Sequence, residues 1–217
     1  MISAQAARPA LTRRTIAVAG HVGDVVAVRS GLDDENPAVR ATALAALARL
    51  DALDAHTLMS ATTDASSVVR RRAAQLAAVH PGFDLRGLLA DADPMVAEMA
   101  AWACGEHVDV DRATRMVLGE LARTHDEPLV RESAVAALGA IGEPDTVGLI
   151  LAALTDKPAI RRRAVIALAN FEGAEIDAAL HAALADRDWQ VRQAAEELLK
   201  IATHPEPNAE PDVDVDP

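Results

Sequence analysis

One short helical pattern is written seven times along this chain, and that repetition limits the fold more than any other feature. The copies are RPALTRRTIAVAGHVG, NPAVRATALAALARL, SSVVRRRAAQLAAV, DPMVAEMAAWACGE, EPLVRESAVAALGAIG, KPAIRRRAVIALANF and DWQVRQAAEELLKI. Aligned on Leu11, Val39, Val69, Val96, Val130, Ile160 and Val191, they recur at intervals of 28, 30, 27, 34, 30 and 31 residues. A period of this size marks a stacked helical repeat, in which each unit buries its apolar face only against its neighbours. The residues four and eight after each anchor are small or aliphatic (Ala43 and Leu47, Ala134 and Leu138, Ala164 and Leu168). Anchor, +4 and +8 share one helical face and form the predicted core column, which starts with Leu11, Thr15 and Ala19.

The helix starts are marked by Pro9, Pro37, Pro94, Pro128 and Pro158, two residues before their anchors. At the first helical position the missing proline N–H would have no partner in any case. Asn36, Ser66, Asp93 and Asp188 stand just ahead as N-caps. Shorter second helices are predicted at 24–32, 54–62, 84–90, 110–124, 145–154 and 176–185. The result is an all-α, right-handed α–α superhelix of about six helical hairpins and a closing helix, spanning residues 1–203. The segment HPEPNAEPDVDVDP, residues 204–217, is acidic and proline-rich without apolar period. It reads as a disordered, solvated tail.

Arg40, Arg70, Arg131, Arg161 and Arg192 follow the anchors, and Asp34, Asp64, Asp126, Asp156 and Asp186 precede the helices. This Asp…Pro-x-[Val/Ile]-Arg…Ala…Leu-Gly pattern, over about residues 8 to 203, resembles the HEAT-like repeats of phycobilisome lyase subunits. The resemblance implies that these Asp and Arg residues form a ladder between neighbouring repeats, a structural role. It also implies an alternative function, a tetrapyrrole- or ligand-handling lyase or chaperone-like protein associated with an enzyme. Two Phe, two Trp and no Tyr leave little to hold a flat ring.

Composition narrows the functions further. A net charge of −12, with five carboxylates in the last fourteen residues, disfavours nucleic acid and anionic lipid. The triplets Arg70-Arg71-Arg72 and Arg161-Arg162-Arg163 do not make a basic groove. The column Arg13, Ala41, Arg71, Glu98, Glu132, Arg162, Gln193 is broken by acids. Nucleic-acid binding therefore ranks third. Cys104 is the only cysteine and the N-terminus has no signal-peptide pattern, so a cytoplasmic protein is expected. No run of about 18 apolar residues predicts a membrane span.

No residue set names a reaction. HEAT-like deoxyhypusine hydroxylases bind two irons through His-Glu pairs at the helix starts. The matching positions here hold Arg71-Arg72, Glu98-Met99, Glu132-Ser133 and Arg162-Arg163. The seven histidines are scattered, so no catalytic residue, cofactor or metal is expected. The fourth unit is irregular: Ala97 replaces the ladder arginine, and Met95, Met99, Trp102, Cys104 and His107 gather there. A soft-metal site is one reading of that group. A bend in the stack, with Cys104 as a core residue, explains more. Gly20, Gly105 and Gly139 share a column nine after the anchor, which signals close helix packing.

What remains is surface. The sequence predicts a non-enzymatic scaffold or adaptor whose concave side, lined by second helices, binds a partner protein. The expected contact column is Arg29, Met59, Arg86, Leu118, Leu151 and His181, basic at its N-terminal end and apolar in the middle, suited to an amphipathic or acidic segment.

Overall fold

A computed structural model describes residues 11–203, so the tail at 204–217 and Pro9 lie outside the described residues. The chain forms thirteen α-helices there: α1 Arg13–Val22, α2 Val25–Ser30, α3 Pro37–Arg49, α4 Ala55–Ala61, α5 Ser67–Ala77, α6 Arg86–Leu89, α7 Pro94–Gly105, α8 Arg112–Thr124, α9 Pro128–Ile141, α10 Val147–Ala152, α11 Pro158–Ala167, α12 Ala174–Ala183 and α13 Trp189–Thr203. Short 3₁₀ turns flank α10 and end α11, and no strand occurs among the described residues. These are six hairpins and a closing helix.

The odd-numbered first helices pack on one another in unbroken succession from α1 to α13. The shorter second helices make extensive mutual contact only at α6–α8 and α8–α10. The core lies between the two layers. Val39, Ala43 and Leu47, Val130, Ala134 and Leu138, and Ile160, Ala164 and Leu168 are all buried. The expected column fails at its N-terminal end, because α1 begins at Arg13. Thr12 caps α1 and Thr15 answers it in a reciprocal capping box, with Thr12 Oγ1 accepting from the Thr15 N–H at 3.1 Å. Thr15 is therefore exposed, and Ile16 takes the buried place.

Small residues set the spacing of the first layer. A Cβ on Gly139 would lie 2.5 Å from the Cβ of Ala167 and 2.8 Å from its Cα, closer than any real contact. Gly20 meets Ala46, and Gly105 meets Ala137, in the same relation. Asn36, Asp93 and Asp188 accept the backbone N–H two residues on, whereas Ser66 makes no such bond.

Candidate functional site

Each ladder arginine lies at the start of a first helix, half-buried or, for Arg161, 5% exposed. Its Nη1 donates back to the carbonyl of the preceding turn, to Asp34, Asp64, His125, Asp156 and Asp186 for Arg40, Arg70, Arg131, Arg161 and Arg192. In Arg40, Arg70, Arg131 and Arg161, Nε and Nη2 then fork onto a carboxylate of the following unit. Arg40 meets Asp64 at 2.8 and 2.6 Å, Arg70 meets Asp91 at 2.6 and 2.8 Å, Arg131 meets Asp156 at 2.7 and 2.9 Å, and Arg161 meets Asp186 at 2.8 and 2.7 Å. Bidentate pairs of this kind are strong and orientation-specific. The guanidinium bonds hold the carboxyls of Asp64, Asp91, Asp156 and Asp186 below the usual range.

The ladder differs from the expected residue set at four places, one being Arg192, which forks onto no carboxylate among the described residues. Asp91 is a member that sequence reading passed over, although it stands five residues before Val96, the offset of Asp34 and Asp64 from their own anchors. Asp34 and Asp126 receive no arginine fork: Thr12 and Ala97 occupy the positions from which one would come. Their carbonyls serve instead, Asp34 O accepting from Arg40 and Asp126 O from Arg131. At the rungless α7–α9 junction, the Ser133 hydroxyl donates to Glu98 at 3.3 Å. One layer away, Arg115 of α8 forks onto Asp145 at 2.8 Å to both oxygens.

The expected partner-binding column divides. Leu118 is fully buried in the main core, because α8 turns Met116 to solvent and Leu118 inward, so it presents nothing to a partner. Leu151 is half-buried against that core. Arg29 donates to Asp54 at 3.1 Å and to the Ala52 carbonyl, and Arg86 is chelated by Asp84. With those bonds and the capping N–H groups, Asp54 and Asp84 are each drawn down to about 2. Met59 and His181 are exposed on separate second helices, His181 Nδ1 lying 2.7 Å from the Asp177 carbonyl. Of the six, Leu118 alone is shut off from solvent, Leu151 is half-buried, and Arg29, Met59, Arg86 and His181 are exposed.

The irregular fourth unit separates into two faces. Cys104 is buried in the +8 column, where burial pushes its thiol up to about 12. His107 is buried too, its Nε2 2.9 Å from the Ala77 carbonyl. Met95, Met99 and Trp102 lie on the opposite side of α7, so the methionines and the thiol share no site. Among the described residues no three of His, Cys, Asp and Glu are grouped to hold a metal.

That opposite side is the outer face of the first-helix layer. Its positions are those one before the anchor and three, six and ten after it, on one stripe of each helix. In the middle of the stack this stripe leaves large apolar residues open, Val68 on α5 at 53% exposed, Met95 and Trp102 on α7 at 39% and 41%, and Leu129 on α9 at 48%, interleaved with Arg72, Gln75 and Ser133. Beside them, between α3, α5 and α7, a shallow groove of about 380 Å³ is lined by Ala41, Val68, Arg71, Arg72, Gln75 and Met99. The signal for this face was present in the sequence as the Met-rich helix and the large apolar residues before the third, fourth and fifth anchors, Val68, Met95 and Leu129.

These helices and their stacking define a HEAT/armadillo-type α-solenoid, and a family model described as HEAT repeats matches residues 84–159. No curated protein matches the chain. Among solved structures, human deoxyhypusine hydroxylase in complex with glycerol is 20% identical, with a TM-score of 0.49 over 88% of this chain and 79% of that one. A designed armadillo repeat protein is 19% identical, with a TM-score of 0.44 over 88% and 87% of the two chains. Another, in complex with the peptide (KR)4, is 17% identical at the same TM-score and coverages. Among the described residues no helix is long and apolar enough to cross a membrane.

Proposed function

We propose that the chain is a non-enzymatic protein-binding scaffold, and that it binds through the outer face of its first helices. The observation that carries this reading is the open apolar stripe of Val68, Met95, Trp102 and Leu129 on otherwise well-packed helices. Large apolar residues left open on three neighbouring helices, with an aromatic among them, are what a recognition surface keeps. A surface held rigid by the repeats loses little entropy when a partner docks.

The test is affinity capture from source cells with the wild-type chain and with the double substitution Met95→Asp, Trp102→Asp, read by mass spectrometry and an absorbance scan of the eluate. A stoichiometric protein held by the wild type and lost from an equally folded variant is the expected result. Equal capture by both proteins removes this face from the function. A lone chain carrying visible absorbance replaces the scaffold with a ligand-handling role.

A further inference from the structure

The groove beside the apolar stripe has a chemistry of its own. Its floor is Ala41, Val68 and Met99, and both charged groups on its rim are arginines. Arg72 shares a bond of 2.6 Å with Gln75, its neighbour in the rim. Arg71 is exposed and has no hydrogen bond or ion pair among the described residues. Arg40, Arg70, Arg115, Arg131 and Arg161 are each forked onto a carboxylate, whereas Arg13, Arg14, Arg49, Arg162 and Arg187, like Arg71, have none among the described residues; Arg71 stands apart in lining a groove with a second arginine and no acid. In a chain of net charge −12, an arginine left open beside an apolar floor lacks a carboxylate that the protein has in excess elsewhere. The acids nearest in the layer are engaged: Glu98 accepts from Ser133, and Glu132 from Arg163 at 3.2 Å.

We propose that this groove, with the adjoining shelf of Met95 and Trp102, takes an acidic amphipathic segment of a partner protein. Apolar side chains of the segment lie on Val68, Met99 and Trp102, and its carboxylates reach Arg71 and Arg72. Planar, bidentate recognition of a carboxylate is what a guanidinium does best, and burying it beside apolar contacts strengthens it. The inference rests on the scaffold reading and adds the chemistry of the partner.

The experiment uses the full chain carrying Trp189→Phe, which leaves Trp102 as the only tryptophan. The probes are dye-labelled synthetic peptides of about 16 residues, with leucines at helical i, i+3, i+4, i+7 spacing and glutamates beside them. A matched set carries lysine at every glutamate. Binding is read by peptide anisotropy and by the Trp102 emission, and the fold by circular dichroism. The expected result is a blue shift of Trp102 and binding of the glutamate set at least about tenfold tighter than the lysine set. Arg71→Glu with Arg72→Glu then reverses the order, and Met99→Asp weakens both sets.

Equal or tighter binding of the lysine set, or a preference unchanged in the arginine variant, overturns the proposal. So does a Trp102 blue shift that grows with protein concentration alone, since a second copy would then be the occupant. The chain's own acidic end is tested by Asp212→Asn, Asp214→Asn, Asp216→Asn; a tenfold gain in glutamate-peptide affinity would make that segment the occupant instead. The capture experiment separates the two claims. A partner lost with Met95→Asp, Trp102→Asp while the peptides show no acid preference leaves the scaffold and removes only the acidic partner.

Discussion

Arg131 shows how much one side chain joins. Its guanidinium ties the carbonyls of His125 and Asp126 to the carboxylate of Asp156, linking the turn before α9 to the turn before α11. Charge-assisted bonds with little solvent around them each contribute of the order of 1.5–3 kcal/mol. Arg131→Ala is therefore expected to cost about 2 kcal/mol and lower the melting temperature by roughly 4–8 °C. Partner affinity stays unchanged, as Arg131 lies off the apolar stripe; a loss of binding without loss of stability would reverse the assignment. Lysine at this position recovers little, having a point charge where a fork is needed. The pH dependence follows from the same pairs. The folded pKa values of Asp64, Asp91, Asp156 and Asp186 are depressed, so the unfolded chain takes up protons first as pH falls. Their contribution is present in full above the ordinary aspartate pKa of about 3.9 and is lost as pH drops through the folded values. Denaturant titrations at pH 7, 5 and 3 should show stability nearly level over the first interval and falling over the second, less steeply in Arg131→Ala. Cys104, with its thiol pushed up to about 12 by burial, is expected to resist a thiol reagent until the chain unfolds.

At the scale of the helix, contact between neighbours decides position. Gly139→Ala puts a methyl group against the backbone of Ala167 and is expected to destabilise by about 1–3 kcal/mol through forced separation of α9 and α11, measurable by thermal melting. The same substitution at Gly87 or Gly148, where an added Cβ meets nothing, makes the control and leaves stability within about 0.5 kcal/mol or improves it. Much of this level was legible beforehand. The periodic apolar column and the prolines located the first helices from α3 onward, and turn residues placed the second helices to within a few residues. The start of α1 was not legible from Pro9, because the Thr12–Thr15 capping box competes with it and prevails. Leu118 was misplaced because α8 carries Met116, Val117 and Leu118 in succession, and periodicity alone leaves open which of three adjacent apolar residues turns inward. Asp91 was passed over because α6 has a single turn and two acids precede Pro94.

For the whole molecule, both ends of the described stack are open: α1 and α2 expose Val18, Val22 and Val26, and α13 exposes Trp189 and Ile201 beside Glu196 and Lys200. A terminal unit has a neighbour on one side only, so stability is expected to decline from the middle of the stack outward. Hydrogen exchange should find the slowest amides in α7, α9 and α11 and the fastest in α1, α2 and α13; uniform protection along the chain would contradict the nearest-neighbour picture. The missing rung between α7 and α9 has a mechanical consequence. A load applied along the stack passes through each junction in series, and at this one the arginine fork lies in the second layer, Arg115 on Asp145, while the first layer relies on the packed surface of α7 on α9. Greasy contact yields gradually while a short directional bond snaps. Pulled from its ends, the solenoid has at its centre the one interior junction whose first layer can slide while its second layer holds.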